Sequence, residues 1–134
     1  MPITYHTKKT FTPMELESLF LSVEWSSGHY PDKLAAAMQG SATVISAYDG
    51  DRLVGLINAL DDGVMTAYIH YLLVSPDYQS QGIGRELVHR MTATYADYLR
   101  IVLVAYEEET AFYQQCGFTR GESACPMFIT SLCT

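Results

Sequence analysis

The sequence predicts an α/β fold (α+β mixed), a central mixed β-sheet with helices on both faces, and three observations predict it. Strand and helix patterns follow one another in the order β-α-α-β-β-β-α-β-α-β. Two turn signals, Tyr48-Asp49-Gly50-Asp51 and Asp61-Asp62-Gly63, divide the middle of the chain into an antiparallel meander. An apolar run ending at Ser75-Pro76 is followed by Gln79, Gly82 and Gly84 and at once by a helical pattern, then by a second apolar run. The right-handed crossover rule makes those two runs parallel strands, so the sheet is mixed.

Taken in order, Ile3 to Lys8 alternates and suits a first strand. Thr12-Pro-Met-Glu15 has the form of a capping box with Pro13 at the first helical position. The helix behind it carries Leu16, Leu19, Phe20 and Val23 on one face. Trp25 to Pro31 reads as a loop, and Asp32 as the cap of a second helix, with Leu34 and Met38 inward and Gly40 as its stop. The meander strands are Thr43 to Tyr48, Arg52 to Leu60 and Val64 to Val74. The helix after the glycine turn places Ile83, Leu87, Met91 and Tyr95 at four-residue spacing, the pattern of a buried stripe. Arg100 to Ala105 is continuously apolar after its first residue, which fits a strand covered on both faces. Glu107-Glu-Glu-Thr110 opens the last helix, where acidic residues complement the dipole, and Gly117 ends it. Pro126 to Leu132 suits an edge strand, through which two copies could pair as a homodimer.

The 134 residues, 49% of them apolar, suit a single domain spanning 1–134. A net charge of −7 argues against nucleic acid as a partner, since phosphate backbones demand basic patches. No apolar run is long enough for a membrane span, and the N-terminus lacks a basic-then-apolar leader, so a cytoplasmic location is expected. Cys116, Cys125 and Cys133 lack metal-type spacing and read as free thiols, with no metal site.

The glycine turn carries the functional signal. The first N–H groups of a helix have no partner within it, and the dipole is positive there. Gly82 and Gly84 let an anion approach the backbone, and Arg85 adds a fixed charge. A nucleotide-binding Walker loop would need Gly-Lys-Ser/Thr where this chain has Gly84-Arg85-Glu86. A dinucleotide fingerprint would need glycine in place of Leu87. Both are excluded; the turn reads as a pyrophosphate cradle, with an ordinary strand-to-helix turn as the alternative.

Leu73-Val-Ser-Pro-Asp-Tyr-Gln-Ser-Gln-Gly-Ile-Gly84 resembles the coenzyme A motif of the GCN5-related N-acetyltransferase (GNAT) superfamily. Ala111-Phe-Tyr-Gln-Gln-Cys-Gly-Phe118 resembles its second signature, and the element order agrees over nearly the whole chain. The resemblance implies the GNAT fold and acetyl-CoA as cofactor. The coenzyme A arm would lie on the backbone of Leu72, Leu73 and Val74, opposite Val104. The pyrophosphate would sit on Gln79, Ser80, Gln81, Gly82, Ile83, Gly84 and Arg85. Tyr113 takes the position of a tyrosine that protonates the leaving thiolate, and a phenol holds its proton at neutral pH. Many members carry an asparagine where this chain has Glu108, which leaves an acidic lip; the glutamates Glu107 to Glu109 also read as a solvated helix start.

An attacking amine must lose a proton. Family members often use a glutamate on the strand before the cofactor loop, but Val64 to Val74 has neither Asp nor Glu. His70 is then the candidate base, with a buried structural histidine or a water chain as alternatives. Trp25, His29, Tyr30 and Asp61 or Asp62 are candidates for the acceptor pocket, aromatic for an aryl or alkyl group and acidic for an ammonium. The Trp25-Ser-Ser segment, Asp62-Gly63 and the cofactor motif are loosely similar to the arylalkylamine and serotonin acetyltransferase-like branch. The resemblance thus implies acetyl transfer to a small-molecule amine. A non-catalytic coenzyme A-binding module and a protein or peptide N-acetyltransferase are alternatives.

Overall fold

The computed structural model describes residues 2–132. Five strands form one sheet in sequential order: β1 (Ile3–Thr7), β2 (Thr43–Asp49), β3 (Arg52–Asp61), β4 (Thr66–Val74) and β5 (Arg100–Leu103). The pairs from β1 to β4 are antiparallel, and β5 runs parallel to β4. Helices α1 (Pro13–Ser22) and α2 (Pro31–Gly40) pack on one face, and α3 (Ile83–Thr94) with α4 (Thr110–Gln115) on the other. The family-type mixed fold expected from the element order is therefore present.

The local signals explain most boundaries. Thr12 Oγ1 accepts from the Glu15 N–H at 3.1 Å, and the Glu15 carboxylate accepts from the Thr12 N–H at 2.8 Å, a complete capping box. Apolar side chains of α1 and α2, with Phe20, Leu34 and Met38 buried, meet Val44, Leu56 and Leu73 of the sheet. On the other face Ile83, Leu87, Val88, Met91 and Tyr95 meet Ile45, Val54, Ile57 and Ile69. Gly55 makes that second contact close. A Cβ there would lie 3.2 Å from both Ile83 Cγ2 and Leu87 Cδ1, so the first turns of α3 rest directly on the β3 backbone.

Four expectations are corrected. Asp32 does not cap α2: Tyr30 holds that position, Pro31 opens the helix and Asp32 lies in the first turn. Gly40 ends α2 as its last helical residue, with Ser41 as an extended cap, rather than as a left-handed stop. Arg100–Leu103 is a sheet edge covered on one face only: Ile101 and Leu103 pack toward α3 and α4, while Val102 is 43% exposed. An apolar run does not distinguish a central strand from an edge whose outward apolar groups stay wet. Pro126 to Leu132 forms no strand, so the pairing edge expected there is absent. Trp25 to Pro31 holds a short 3₁₀ turn, Ser26–His29. Among the described residues, Cys116 and Cys125 are free, no helix is long and apolar enough to cross a membrane, and Cys133 lies outside them.

Strand propensity alone would favour valine over glycine in β3. The contact with α3 reverses this: Gly55→Val is expected to lower stability by about 1–3 kcal/mol through overpacking, measured as a fall in the denaturant midpoint at constant slope.

Candidate active site

The site begins where the sheet splits. Pairing of β4 with β5 ends at Ile69 opposite Leu103, whereas β3 accompanies β4 as far as Gly55 opposite Val74. From His70 onward, the edge of β4 that faces β5 therefore has no β5 partner. The opening is a cleft of about 1610 Å³ with Leu72, Leu73 and Val74 on one wall and Val104 and Ala105 on the other. The parallel crossover made such a split legible; its position could not be read from sequence.

A bulge accompanies the split. The register passes from Ile57 opposite Leu72 to Ala59 opposite Ile69, so Asn58 alone faces His70 and Tyr71. The extra residue reverses the side-chain alternation. Ala67 and Ile69 face the α3 layer before the bulge, and Leu72 and Val74 face it after. Tyr71 and Leu73 consequently enter the α1–α2 layer, and His70 comes to lie beside Tyr71. The Asn58 amide closes the gap: Oδ1 accepts from the Tyr71 N–H at 2.8 Å, and Nδ2 donates to Ser41 Oγ at 3.1 Å.

At one end of the cleft lies the glycine turn. Ser80 (φ 65°) and Gly82 (φ 83°) both adopt the left-handed region, and the Gln79 amide donates to the Val74 carbonyl at 3.0 Å. Gly82 precedes α3 with no side-chain cap, and the Glu86 N–H is the one that reaches back to the Gly82 carbonyl at 3.0 Å. The main-chain donors of Ile83, Gly84 and Arg85 thus precede the first helical bond, as an anion cradle requires. Ser80, Gly82, Ile83, Gly84 and Arg85 line the cleft, and Gln81 does not. Arg85 is steadied across the helix pair by donating to Gln115 Oε1 at 3.1 Å. Beneath the loop, Arg52 lies over the Tyr78 ring, whose hydroxyl donates to Asp49.

Opposite the strand, α4 presents Tyr113, half-buried and edge-on to Phe112 and Phe118. Burial, and then the charges at Glu109 and Cys116, push its phenol up to about 12. The three glutamates do not behave alike. Glu107 accepts a fork from Arg120 at 2.8 and 2.9 Å, which holds its carboxyl below the usual range. Glu109 lines the cleft beside Tyr113, and Glu108 lies outside it. All three are exposed, as a solvated helix start requires, and Glu107 is in addition paired at the surface.

The other end of the cleft is aromatic. His70 stacks on Tyr71 with centroids 4.0 Å apart and on Tyr68 at 5.7 Å. His70 keeps an exposed edge, and the partial desolvation by this packing lowers its pKa below the ordinary value. Trp25 stands 6.1 Å from both Phe20 and Tyr71, and the Tyr71 and Ser27 hydroxyls share a 2.8 Å hydrogen bond. Of the acceptor candidates, Trp25 lines the cleft; His29 and Tyr30 are exposed and do not. Asp62 lies beyond the opposite end of β4. Its Oδ1 accepts from the N–H groups of Val64, Met65 and Thr66, so it builds the turn and keeps its carboxyl below the ordinary range. Asp61 accepts from the Tyr95 hydroxyl and is likewise outside the cleft. Sequence reasoning missed Ser27, Tyr71 and the wall formed by Met127, Phe128 and Ile129. Only the polar Asn58 inside an apolar strand hinted at the bulge that brings Tyr71 in.

Residues 7–126 match the model of a family described as "Acetyltransferase (GNAT) domain". A protein of Arabidopsis thaliana named "GCN5-related N-acetyltransferase 3, chloroplastic" is 32% identical over 87% of this chain and 51% of its own length. A Glycine max protein named "Histone acetyltransferase TAP1" is 32% identical over 78% of this chain and 50% of its own. This chain thus spans about half the length of these curated relatives. A solved GNAT-family acetyltransferase from Streptococcus pneumoniae superposes with a TM-score of 0.83 at 26% identity, covering 97% of this chain and 99% of that one.

A Cβ at Gly84 would stand 3.5 Å from Phe112 and 3.8 Å from Val74, where there is room for a methyl group but not for an indole beside a ligand. Gly84→Trp is expected to abolish coenzyme A binding in calorimetry while circular dichroism shows an intact fold.

Proposed function

The chain belongs to the GNAT acetyltransferase family, and on that premise we propose that it is an N-acetyltransferase moving the acetyl group of acetyl-CoA onto a primary amine of a small molecule. The observation that carries this reading is the split of β4 from β5 above Ile69, with an uncapped helix start at one end of the cleft and an aromatic group at the other. The donor set fits the cofactor. The β4 edge beyond Ile69, which has no β5 partner, suits the amides of the pantetheine arm, and the N–H groups from Ile83 to Arg85 suit the pyrophosphate.

Acetyl-CoA supplies an activated acyl thioester. The chain's own residues would orient the acceptor, take one proton and give another. Stacking keeps His70 neutral at and somewhat below neutral pH, which suits it to accept the amine's proton. Tyr113 keeps its proton through the same range and donates it toward the leaving sulfur from α4. Because its phenol stands well above an ordinary thiol, its help is largely a hydrogen bond that strengthens as charge develops on sulfur. Trp25, Tyr68 and Tyr71 offer flat faces to the acceptor, which favours an amine with an aryl or alkyl body.

A protein or peptide amine is the second reading, and the soybean relative's name favours it. Small aryl- and alkylamines and short peptides, assayed side by side by thiol release, separate the two. Turnover of peptides alone would transfer the reading to protein acceptors, and no turnover with any acceptor would support a binding module.

Tyr113→Phe is expected to lower kcat by about 10²- to 10⁴-fold with coenzyme A affinity nearly unchanged; unaltered turnover removes Tyr113 from the reaction. With His70 as base, kcat is full while the imidazole is neutral and is lost as pH falls through its folded pKa. The acid limb is therefore expected below about 6.5. His70→Ala should abolish that limb, and an identical profile assigns the proton to another group.

A further inference from the structure

We propose that Asn58 is a positioning residue: its buried amide pins the β4 bulge to the end of α2 and thereby sets how His70 and Tyr71 are presented to the cleft. The inference rests on the reading of His70 as proton acceptor.

Asn58 is 3% exposed in a strand whose neighbours Leu56, Ile57 and Ala59 are fully buried. A buried amide with unmet hydrogen bonds is costly, so its retention in such a strand requires matched partners. The partners are specific. Oδ1 takes the Tyr71 N–H, on the strand pair where the ladder is interrupted. Nδ2 donates to Ser41 Oγ, and Ser41 Oγ donates in turn to the Ala37 carbonyl in the last turn of α2. A continuous chain of hydrogen bonds therefore runs from the helix layer to the Tyr71 N–H, at the point where the β3–β4 ladder is interrupted.

The consequence is geometric. A strand without the bulge alternates, so His70 and Tyr71 would point to opposite faces. With it, their rings lie 4.0 Å apart with planes 20° from parallel, and Tyr71 reaches Ser27 on the helix layer. An apolar residue at 58 could fill the same space, but it could not hold the Tyr71 N–H. Asn58 itself is not among the residues lining the cleft, so it acts through the two rings rather than on a ligand. The titratable groups that do line the cleft with His70 are Tyr68 and Tyr71 on β4, Tyr78 and Arg85 at the glycine turn, Tyr106, Glu107 and Glu109 beyond β5, and Tyr113 on α4.

The test is a proton NMR titration of the full chain without ligand, with the His70 resonance assigned by its absence in His70→Ala. Asn58→Leu keeps the number and branching of the side-chain heavy atoms, with greater bulk, and removes both hydrogen bonds. The expected result is an upward shift of the His70 midpoint toward the ordinary imidazole value as the stack loosens, together with faster hydrogen exchange at the Tyr71 amide. A residue that only filled the core would change stability and leave both readings where they were. Ser41→Ala removes the far anchor alone and is expected to shift His70 in the same direction by less. An unchanged His70 midpoint in folded Asn58→Leu, or in Ser41→Ala where the leucine variant does not fold, overturns the proposal. Neither measurement involves acetyl-CoA or an acceptor. Failure of the acetyltransferase reading would appear in the thiol-release assay instead.

Discussion

One residue on β3 facing two on β4 is the constraint on which the rest of the site depends. A β-ladder conserves the side on which each residue falls, and the extra residue at His70-Tyr71 breaks that rule once. Below it, β4 is an ordinary strand held between β3 and β5. Above it, β4 keeps β3, loses β5, and sends Tyr71 and Leu73 into the helix layer over α1 and α2. The cleft, the aromatic end and the exposed main-chain edge are three results of the same interruption. The hydrogen bond at Asn58 is small beside the apolar burial around it, yet it satisfies a main-chain donor that the interruption would otherwise strand.

A chain of net charge −7 carries an uncapped helix start of the kind that suits an anion. The two facts are compatible because their ranges differ. Surface carboxylates more than about 10 Å away are screened by salt, whereas main-chain donors at a helix start act in contact. The acidic residues nearest the site are also partly engaged. Glu107 is forked by Arg120, and Asp77 faces Arg52. What the site needs from its backbone is close approach, which the left-handed turn at Ser80 and Gly82 and the seat of α3 on Gly55 provide.

The two candidate proton-handling groups are separated in acidity by one physical cause. Burial disfavours the charged form of each, which lowers an imidazole and raises a phenol. His70 is thus biased toward the free base and Tyr113 toward the protonated acid, the assignment that amine acylation asks for. Both line the cleft, His70 from β4 and Tyr113 from α4.

The element order as far as the last helix, the parallel crossover, the capping box at Thr12, the uncapped turn before α3 and the placement of Tyr113 on the last helix were all legible in the sequence. Each depends on backbone preferences or spacing within a few neighbouring residues. Legibility failed where a contact joins distant segments. Asn58 meets Tyr71 across 13 positions, and Ser27 meets Tyr71 across 44. It failed also where a local pattern had two readings: Asp62 looked like an ammonium partner and is a turn cap, and the apolar run at β5 looked central and is an edge. The sequence by itself determined that main-chain donors are left uncapped from Ile83 to Arg85 and that the strands around them run parallel, because both follow from local chirality and main-chain chemistry. Only the tertiary structure decided which side chains stand around the acceptor end, because a bulge reverses the facing of every residue beyond it and no local pattern records where it lies.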